Sequence, residues 1–458
     1  MQIPTNPTNS LATALRQRRE NLAGSIDVPV ILWSGKRRER NFAANTFPFR
    51  ASSHFLYFAG LPLEDAAIRL EGGKLELYMD DPNPKGILWH GEMPSRDQIA
   101  RAIGADAAFP KQELQERSPL ESTATIPLQD RTVVWEQNQI LNRERPTELD
   151  GDLAKAIAAI RLCHDDVALA ELLQAAACTV QAHYAGMLST RNANTEAMVR
   201  GAMEGVIIAN NMQCAYNSIV TVRGEVLHND IHHHPLKPGD LLLADVGAET
   251  QSGWAADVTR TWPVSEKFSP TQRDIYELVL AAQKNCIAKV RAGVEYRDIH
   301  LLACRTIAEG LVTLGILRGN PEDLVEMDAH ALFFPHGIGH LLGLDVHDME
   351  DLGDIAGYEE SRVRSDRFGL CFLRLDRPLR PRMLVTIEPG FYQVPAILND
   401  RANREKYQEV VNWEMLAKFA DVRGIRIEDD VLVTEAGSEV LTAALPKEPN
   451  DIEQLSVG

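Results

Sequence analysis

Aromatic residues make up only 6% of this 458-residue chain. No apolar run approaches the ~20 residues that a helix needs to span a bilayer, so an integral membrane protein is not expected. Basic residues are in deficit, with 47 Lys and Arg against 65 Asp and Glu and a formal net charge of -18. Such a chain repels a phosphate backbone, and no basic stripe offsets this locally, which argues against nucleic acid as a partner. The cysteines Cys163, Cys178, Cys214, Cys286, Cys304 and Cys371 are scattered without a C-x-x-C pair, and several sit in apolar helical patterns such as LLQAAACTV. A disulfide framework is therefore not expected, thiolate zinc sites have no support, and a reduced, cytoplasmic protein is expected. Met1 to Leu22 is polar, carries Arg16, Arg18 and Arg19, and has no apolar core after them, which is not the build of a secretory signal. Low-complexity tracts and short-period repeats are also missing.

What is present is enough apolar material, 45% of residues, for two domains. Up to about residue 155, strand-like runs (VPVILWSG, HFLYFAG, KLELYMDD, TVVWEQ) alternate with Pro- and Gly-marked turns and an amphipathic helix around Arg96 to Gly104. This predicts a smaller α/β domain over residues 1–155. From Leu153 to Ser189 apolar residues recur at spacings of three and four, which predicts one or two long helices opening a second domain over 156–458. Here CAYNSIVTV, DLLLADVG and AADVTRTWPV read as strands, followed by helices over Pro270 to Arg291 and Tyr296 to Gly315. Ser269-Pro270 supplies an N-cap and a first-turn proline. MLVTIEPGFY and GIRIEDDVLVTE add further strands, so the fold class is α/β, in its α+β form.

Four carboxylates and a histidine in this second domain carry the chemistry. Asp245 ends the buried run of DLLLADVG, and Asp257 shares one face of the next segment with Thr259 and Thr261. If the two segments pair antiparallel, opposed residues place their Cβ atoms about 4.5 to 5.5 Å apart. Two carboxylates that close repel unless one is protonated or a cation lies between them. Glu388 ends the strand MLVTI before Pro389-Gly390. Glu428 shares a face with Arg426 in GIRIEDDV, and His340 follows His336 by four residues in PHGIGHLLG. Alone, each has a plain structural reading: a turn-forming aspartate, a solvated glutamate, a packed histidine pair. As a set, four carboxylates and one imidazole suit two divalent cations, whose charge they balance.

In series, DVGAETQSGWAADVTRTWPV, FFPHGIGHLLGLDVHD, VTIEPGFY and GIRIEDDVLVTEAG resemble the signatures of the pita-bread metallopeptidases, in their Xaa-Pro branch with aminopeptidase P and prolidase. FPFRASSHFLYFAGL and ILWHGE resemble that branch's N-terminal domain. The resemblance implies a smaller N-terminal α/β domain followed by a pita-bread catalytic domain that hydrolyses the bond between an N-terminal residue and a proline in second position. It implies that Asp245 chelates one metal, Asp257 and Glu428 bridge two, and His340 and Glu388 complete the other, with Mn2+ usual and Co2+ or Zn2+ as substitutes. It further implies catalytic roles for Glu388, His228, His336 and His347, a supporting position for Arg426, and association as a homodimer or homotetramer.

Several residues depart from the pattern or stay open. The Asp245–Asp257 spacing is one residue longer than the usual family loop, which predicts an extended hairpin turn around Gln251-Ser252. Asn229 stands where relatives commonly have Tyr, and His54 where aminopeptidase P has an aspartate. Trp89 matches a family tryptophan at an active-site mouth, or is a core residue. Arg374 lies where prolidases bind a dipeptide's free carboxylate, or is an exposed loop arginine. His232-His233-His234 has no acidic ligand at a defined spacing, so no third metal site is read there, and Asp345, Asp348, Asp429 and Asp430 are expected to be hydrogen-bonded or solvated. Among rivals, a non-catalytic binding protein of this fold would have lost metal ligands. A methionine aminopeptidase would not need the N-terminal domain, and a creatinase-like hydrolase would not call for the carboxylate set. Prolidase on the same site remains the alternative.

Overall fold

The continuous apolar run VILW predicts a strand covered on both faces, and all four residues of the strand Val30–Trp33 are buried. In the computed structural model, which describes residues 9–265 and 267–457, this strand belongs to a five-stranded sheet. The order across it is Ala107–Phe109, Lys74–Tyr78, Ala67–Glu71, Val30–Trp33 and Ala124–Thr125. The chain divides into two compact units, the first reaching Val167 and also taking in Asp351–Ala356, the second holding the remainder. The first unit's core includes Ile31, Trp33, Ala67, Tyr78, Leu114 and Leu141.

Two segments of this unit read as strands are helices. HFLYFAG forms the helix Ser53–Ala59, in which every residue is buried, and Gly60, at φ 71°, ends it in the left-handed conformation. Because no face meets solvent, the segment carries no 3.6-residue alternation, and its aromatic content imitates a strand. TVVWEQ lies in the helix Arg131–Leu141, where the Asp130 side chain accepts the Thr132 N–H at 2.9 Å and Asn142 closes the end in the left-handed conformation. His54 is buried in the first of these helices. Its Nδ1 accepts from Arg161 Nη1 at 2.9 Å, because a guanidinium can only donate, and so its Nε2–H donates to Asp351 Oδ2 at 2.9 Å.

In the second unit, long helices Asp166–Ser189, Pro270–Lys289 and Tyr296–Thr313 accompany short sheets. The Ser269 hydroxyl and the Gln272 side chain form the reciprocal cap at the start of the second of these. One sheet places Leu241–Asp245 between Thr259–Pro263 and Ile219–Thr221; another orders Leu384–Ile387, Asp429–Val433 and Ser438–Val440; a third pairs Gly390–Tyr392 with Gly424–Arg426. Side chains and backbone stitch them together: Thr261 Oγ1 donates to the Arg426 carbonyl and Glu428 N–H to the Thr259 carbonyl. Arg260, fully buried, donates to the Glu428 carbonyl at 2.6 Å and to Asp429 Oδ1 at 2.7 Å, while Lys447, Gln283 and Thr442 also donate to Asp429. Burial would raise the Asp429 carboxyl, but the Arg260 and Lys447 charges hold it at about 2. Among the described residues no helix is long and apolar enough to cross a membrane.

Candidate active site

Strand endings place the acidic groups. Leu241–Asp245 runs antiparallel to Thr259–Pro263 with Asp245 opposite Thr259, so Asp257 falls just beyond the ladder rather than within it. The intervening chain turns at Gln251-Ser252, where Gly253 N–H reaches the Thr250 carbonyl and Thr250 N–H the Trp254 carbonyl. Asp430 accepts the Asp257 backbone N–H and fixes that corner. Glu388 follows the strand Leu384–Ile387, and Glu428 sits between Gly424–Arg426 and Asp429–Val433. His340 is held beside Leu384–Ile387 by Thr386, whose hydroxyl accepts the His340 N–H and whose own N–H donates to the His340 carbonyl, and by a bridge from Leu341 to Val385. Gly339 permits this approach: at φ 154° a Cβ would collide with the Thr386 carbonyl and the Tyr296 hydroxyl.

The five residues converge inside the second unit. Ligand atoms of Asp257, His340 and Glu428 lie within 4.8 Å of one another. His340 Nδ1 bonds the Leu341 carbonyl at 3.0 Å, which can only accept, so Nε2 carries the lone pair. That lone pair stands 3.3 Å from Asp257 Oδ2 and 3.5 Å from Glu388 Oε1. Three electron-rich atoms at these distances repel unless a proton or a cation intervenes. Tyr216 makes the same point for the other side, since its hydroxyl is 2.5 Å from both Asp245 Oδ1 and Asp257 Oδ1 and has one proton for two carboxylates. Burial, then the Asp245 charge, pushes Asp257 up to about 7; burial pushes Glu388 up to about 7 as well. Glu428 is raised well above the ordinary range by burial and by the charges of Asp257 and Glu388. Buried oxygen donors in such excess, with one oriented imidazole, fit divalent cations.

Around them runs a chain of oriented donors. Arg426 is buried and donates to Asp245 Oδ2 at 2.6 Å, to Thr259 Oγ1 at 3.0 Å and to the Tyr392 hydroxyl at 3.0 Å. Thr259 then donates to Glu428 Oε2 at 2.6 Å. Tyr392 donates to His336 Nε2 at 2.9 Å, and His336 Nδ1–H goes to the Gly337 carbonyl at 2.8 Å, so both nitrogens of His336 are engaged. Burial and the Arg426 charge push His336 down to about 3, which keeps it neutral. His347 packs edge-on against His340, ring centroids 4.2 Å apart, and donates Nδ1–H to Glu350 at 3.1 Å. Arg374 donates to both oxygens of that same glutamate. His228 is exposed, with its pKa lowered first by partial burial and next by the Arg426 charge. Of the remaining candidates, Trp89 belongs to the first unit, in the short helix Ile87–His90, and at 78% exposed it is not a core residue.

The triple histidine is structural: His234 Nδ1 bonds Glu196 Oε2 at 2.9 Å and His232 Nδ1 the Val220 carbonyl at 3.2 Å. Sequence reasoning misses Tyr216, Tyr392 and Glu350. The one local signal for Tyr216 is the polar Tyr-Asn-Ser interruption of CAYNSIVTV, which splits that run into the strands Gln213–Cys214 and Ile219–Thr221.

Comparison with known proteins places this geometry. Residues 15–124 match the N-terminal domain of aminopeptidase P, and residues 170–435 match metallopeptidase family M24. The probable Xaa-Pro aminopeptidase of Sordaria macrospora is 30% identical over 417 residues, covering 89% of this chain and 87% of that protein. Its counterpart in Penicillium rubens is 32% identical over 428 residues, covering 90% and 89%. Among solved structures, Escherichia coli aminopeptidase P with the inhibitor Pro-Leu has a TM-score of 0.80 at 26% identity over 99% of each chain, and a zinc-substituted form with product has 0.81 at 27% over the same share. The Pseudomonas aeruginosa aminopeptidase PepP has a TM-score of 0.80 at 28% identity, covering 97% of this chain and 98% of that one. With the family match spanning more than half the chain and the curated relatives aligned along most of it, this protein belongs to metallopeptidase family M24.

Proposed function

We propose that this protein is an Xaa-Pro aminopeptidase, which hydrolyses the bond between an N-terminal residue and a proline in second position. The observation that carries this is the buried cluster of Asp257, His340 and Glu428, joined by Asp245 through Tyr216 and by the partly buried Glu388 beside His340, in the unit that matches a metallopeptidase family. We propose that this set would hold two divalent ions, Mn2+ first and Co2+ or Zn2+ as substitutes, with Asp245, Asp257, His340, Glu388 and Glu428 as their ligands. When bound, the ions supply Lewis-acid polarisation of the scissile carbonyl and lower the pKa of a water.

The chain's own residues do the rest. Glu388, at the end of its strand, takes the proton from the attacking water and returns it to the departing proline nitrogen. A peptide bond to proline has no N–H, so enzymes that grip that hydrogen fail on it and a site shaped for the ring is required. His228 carries an N–H in either neutral tautomer and donates it to the developing oxyanion. His347, its Nδ1 committed to Glu350, keeps Nε2 for the substrate. His336, with both nitrogens engaged, acts by bracing Tyr392 and, through it, Arg426.

The test is product analysis after manganese reconstitution. Ala-Pro-Ala should yield free alanine, while Ala-Ala-Ala stays intact. Cleavage of both, or of neither, contradicts the reading. We also propose a cytoplasmic location, in keeping with six free cysteines, and a homodimer or homotetramer, since symmetric association is the common case.

A further inference from the structure

Glu350 touches two residues assigned to the substrate. Its Oε2 accepts from His347 Nδ1 at 3.1 Å, and its two oxygens lie 2.5 and 2.8 Å from Arg374 Nη1. The loop presents it through Met349, buried and held at φ 62°, a left-handed conformation that a bulky residue adopts only when its surroundings enforce it. The Arg374 and Glu350 side chains are 38% and 40% exposed, so a ligand in solution can reach the guanidinium. Burial alone would raise the Glu350 carboxyl, but the bonds and charges of His347 and Arg374 hold it at about 2, so it stays a carboxylate at any working pH.

We propose that Glu350 sets the substrate length: it occupies Arg374 as an internal stand-in for a substrate's C-terminal carboxylate, and so disfavours Xaa-Pro dipeptides relative to peptides that continue past the proline. This rests on the Xaa-Pro reading of the site. A free arginine would grip a dipeptide's carboxylate with charge-assisted hydrogen bonds. Here that carboxylate must displace a tethered anion and approach it while doing so, and like charges at close range repel. A longer peptide presents an amide at the same place and meets neither cost.

The test compares Ala-Pro with Ala-Pro-amide, which differ only in the charged end. Glu350→Gln keeps an acceptor for His347 Nδ1–H but removes the charge that holds Arg374. The ratio of kcat/KM for Ala-Pro over Ala-Pro-amide should rise about fivefold, with the gain carried by KM, as expected for losing a half-exposed ion pair and its repulsion. Adding Arg374→Ala should abolish the gain. In the Glu350-bearing enzyme, Arg374→Ala alone should shift the ratio less than about twofold, because the arginine is already taken. An unchanged ratio, equal losses on both substrates, or a gain that survives without Arg374 would overturn the inference and leave the Xaa-Pro reading standing. Failure of the parent enzyme to cut Ala-Pro-Ala overturns both.

Discussion

Loading metal into this protein should release protons, in a number that falls as pH rises. In the metal-free chain Asp257 and Glu388 sit near 7, and Glu428 is raised well above the ordinary carboxylate range by burial and by the charges of its neighbours. At pH 7 Asp257 and Glu388 are each about half protonated, so a cation that requires both as carboxylates displaces about one proton from this pair, and whatever proton the raised Glu428 holds adds to it. By pH 8.5 this pair has almost no proton left to displace, and at pH 5.5 it has about two. By linkage the apparent affinity for Mn2+ should change by about tenfold per pH unit near pH 7 through this pair, and less steeply by pH 8.5. Calorimetric titration in two buffers of different ionisation enthalpy reads the proton count directly. A release that stays below about half a proton from pH 6 to 9 would refute the reasoning, since the buried carboxylates would then be ionised without a cation.

Three further expectations follow from the same geometry. Glu428→Ala removes an oxygen shared by the cluster and leaves Thr259 Oγ1 without its acceptor, so metal content and turnover should both collapse; an active, metal-replete variant would sink the ligand assignment. His347→Ala should lower turnover at least tenfold while metal content by elemental analysis stays within about a fifth of the parent, because its ring packs against His340 without joining the cluster. Acid should destabilise the fold independently of the site: burial holds His300 and His330 down at about 4. Their folded pKa values lie below the ordinary one near 6.5, so stability present above about 6.5 is lost as pH falls toward 4, by up to about 3 kcal/mol for each. In thermal scans of metal-free protein at pH 7 and 4.5, His330→Phe should lose less of its midpoint than the parent, and equal losses would count against this account.

Much of the second unit was legible because its proposed metal ligands sit where strands stop. Asp245 and Glu388 each close a short apolar run, where a carboxylate is visible as a break in hydropathy, and Glu428 follows the strand Gly424–Arg426 on the face it shares with Arg426. The same logic failed for HFLYFAG, where burial on every side erases periodicity, and for TVVWEQ, whose β-branched and aromatic residues imitate a strand although the helix buries only Val133, Gln137 and Leu141; caps such as Gly60 and Asn142 carry the helical information instead. Tyr216, Tyr392 and Glu350 were illegible for a different reason. Their importance lies in hydrogen bonds to residues 29, 34 and 24 positions away respectively, a relation that no local pattern records. Arg374 could be read from sequence only as clamp or bystander, because the carboxylate that engages it is visible only in three dimensions.

The six residues Asp351–Ala356 give the N-terminal unit an unusual architecture, since they are encoded far downstream of the rest of it. That unit is discontinuous in the gene, so no single cut yields it whole. A fragment ending at Val167 would keep His54 and Arg161 but lose Asp351, leaving a buried imidazole N–H without its carboxylate acceptor. Recombination that swaps one half of the chain for a relative's therefore has to carry the downstream insert with the upstream domain, and the two parts are bound to be inherited together.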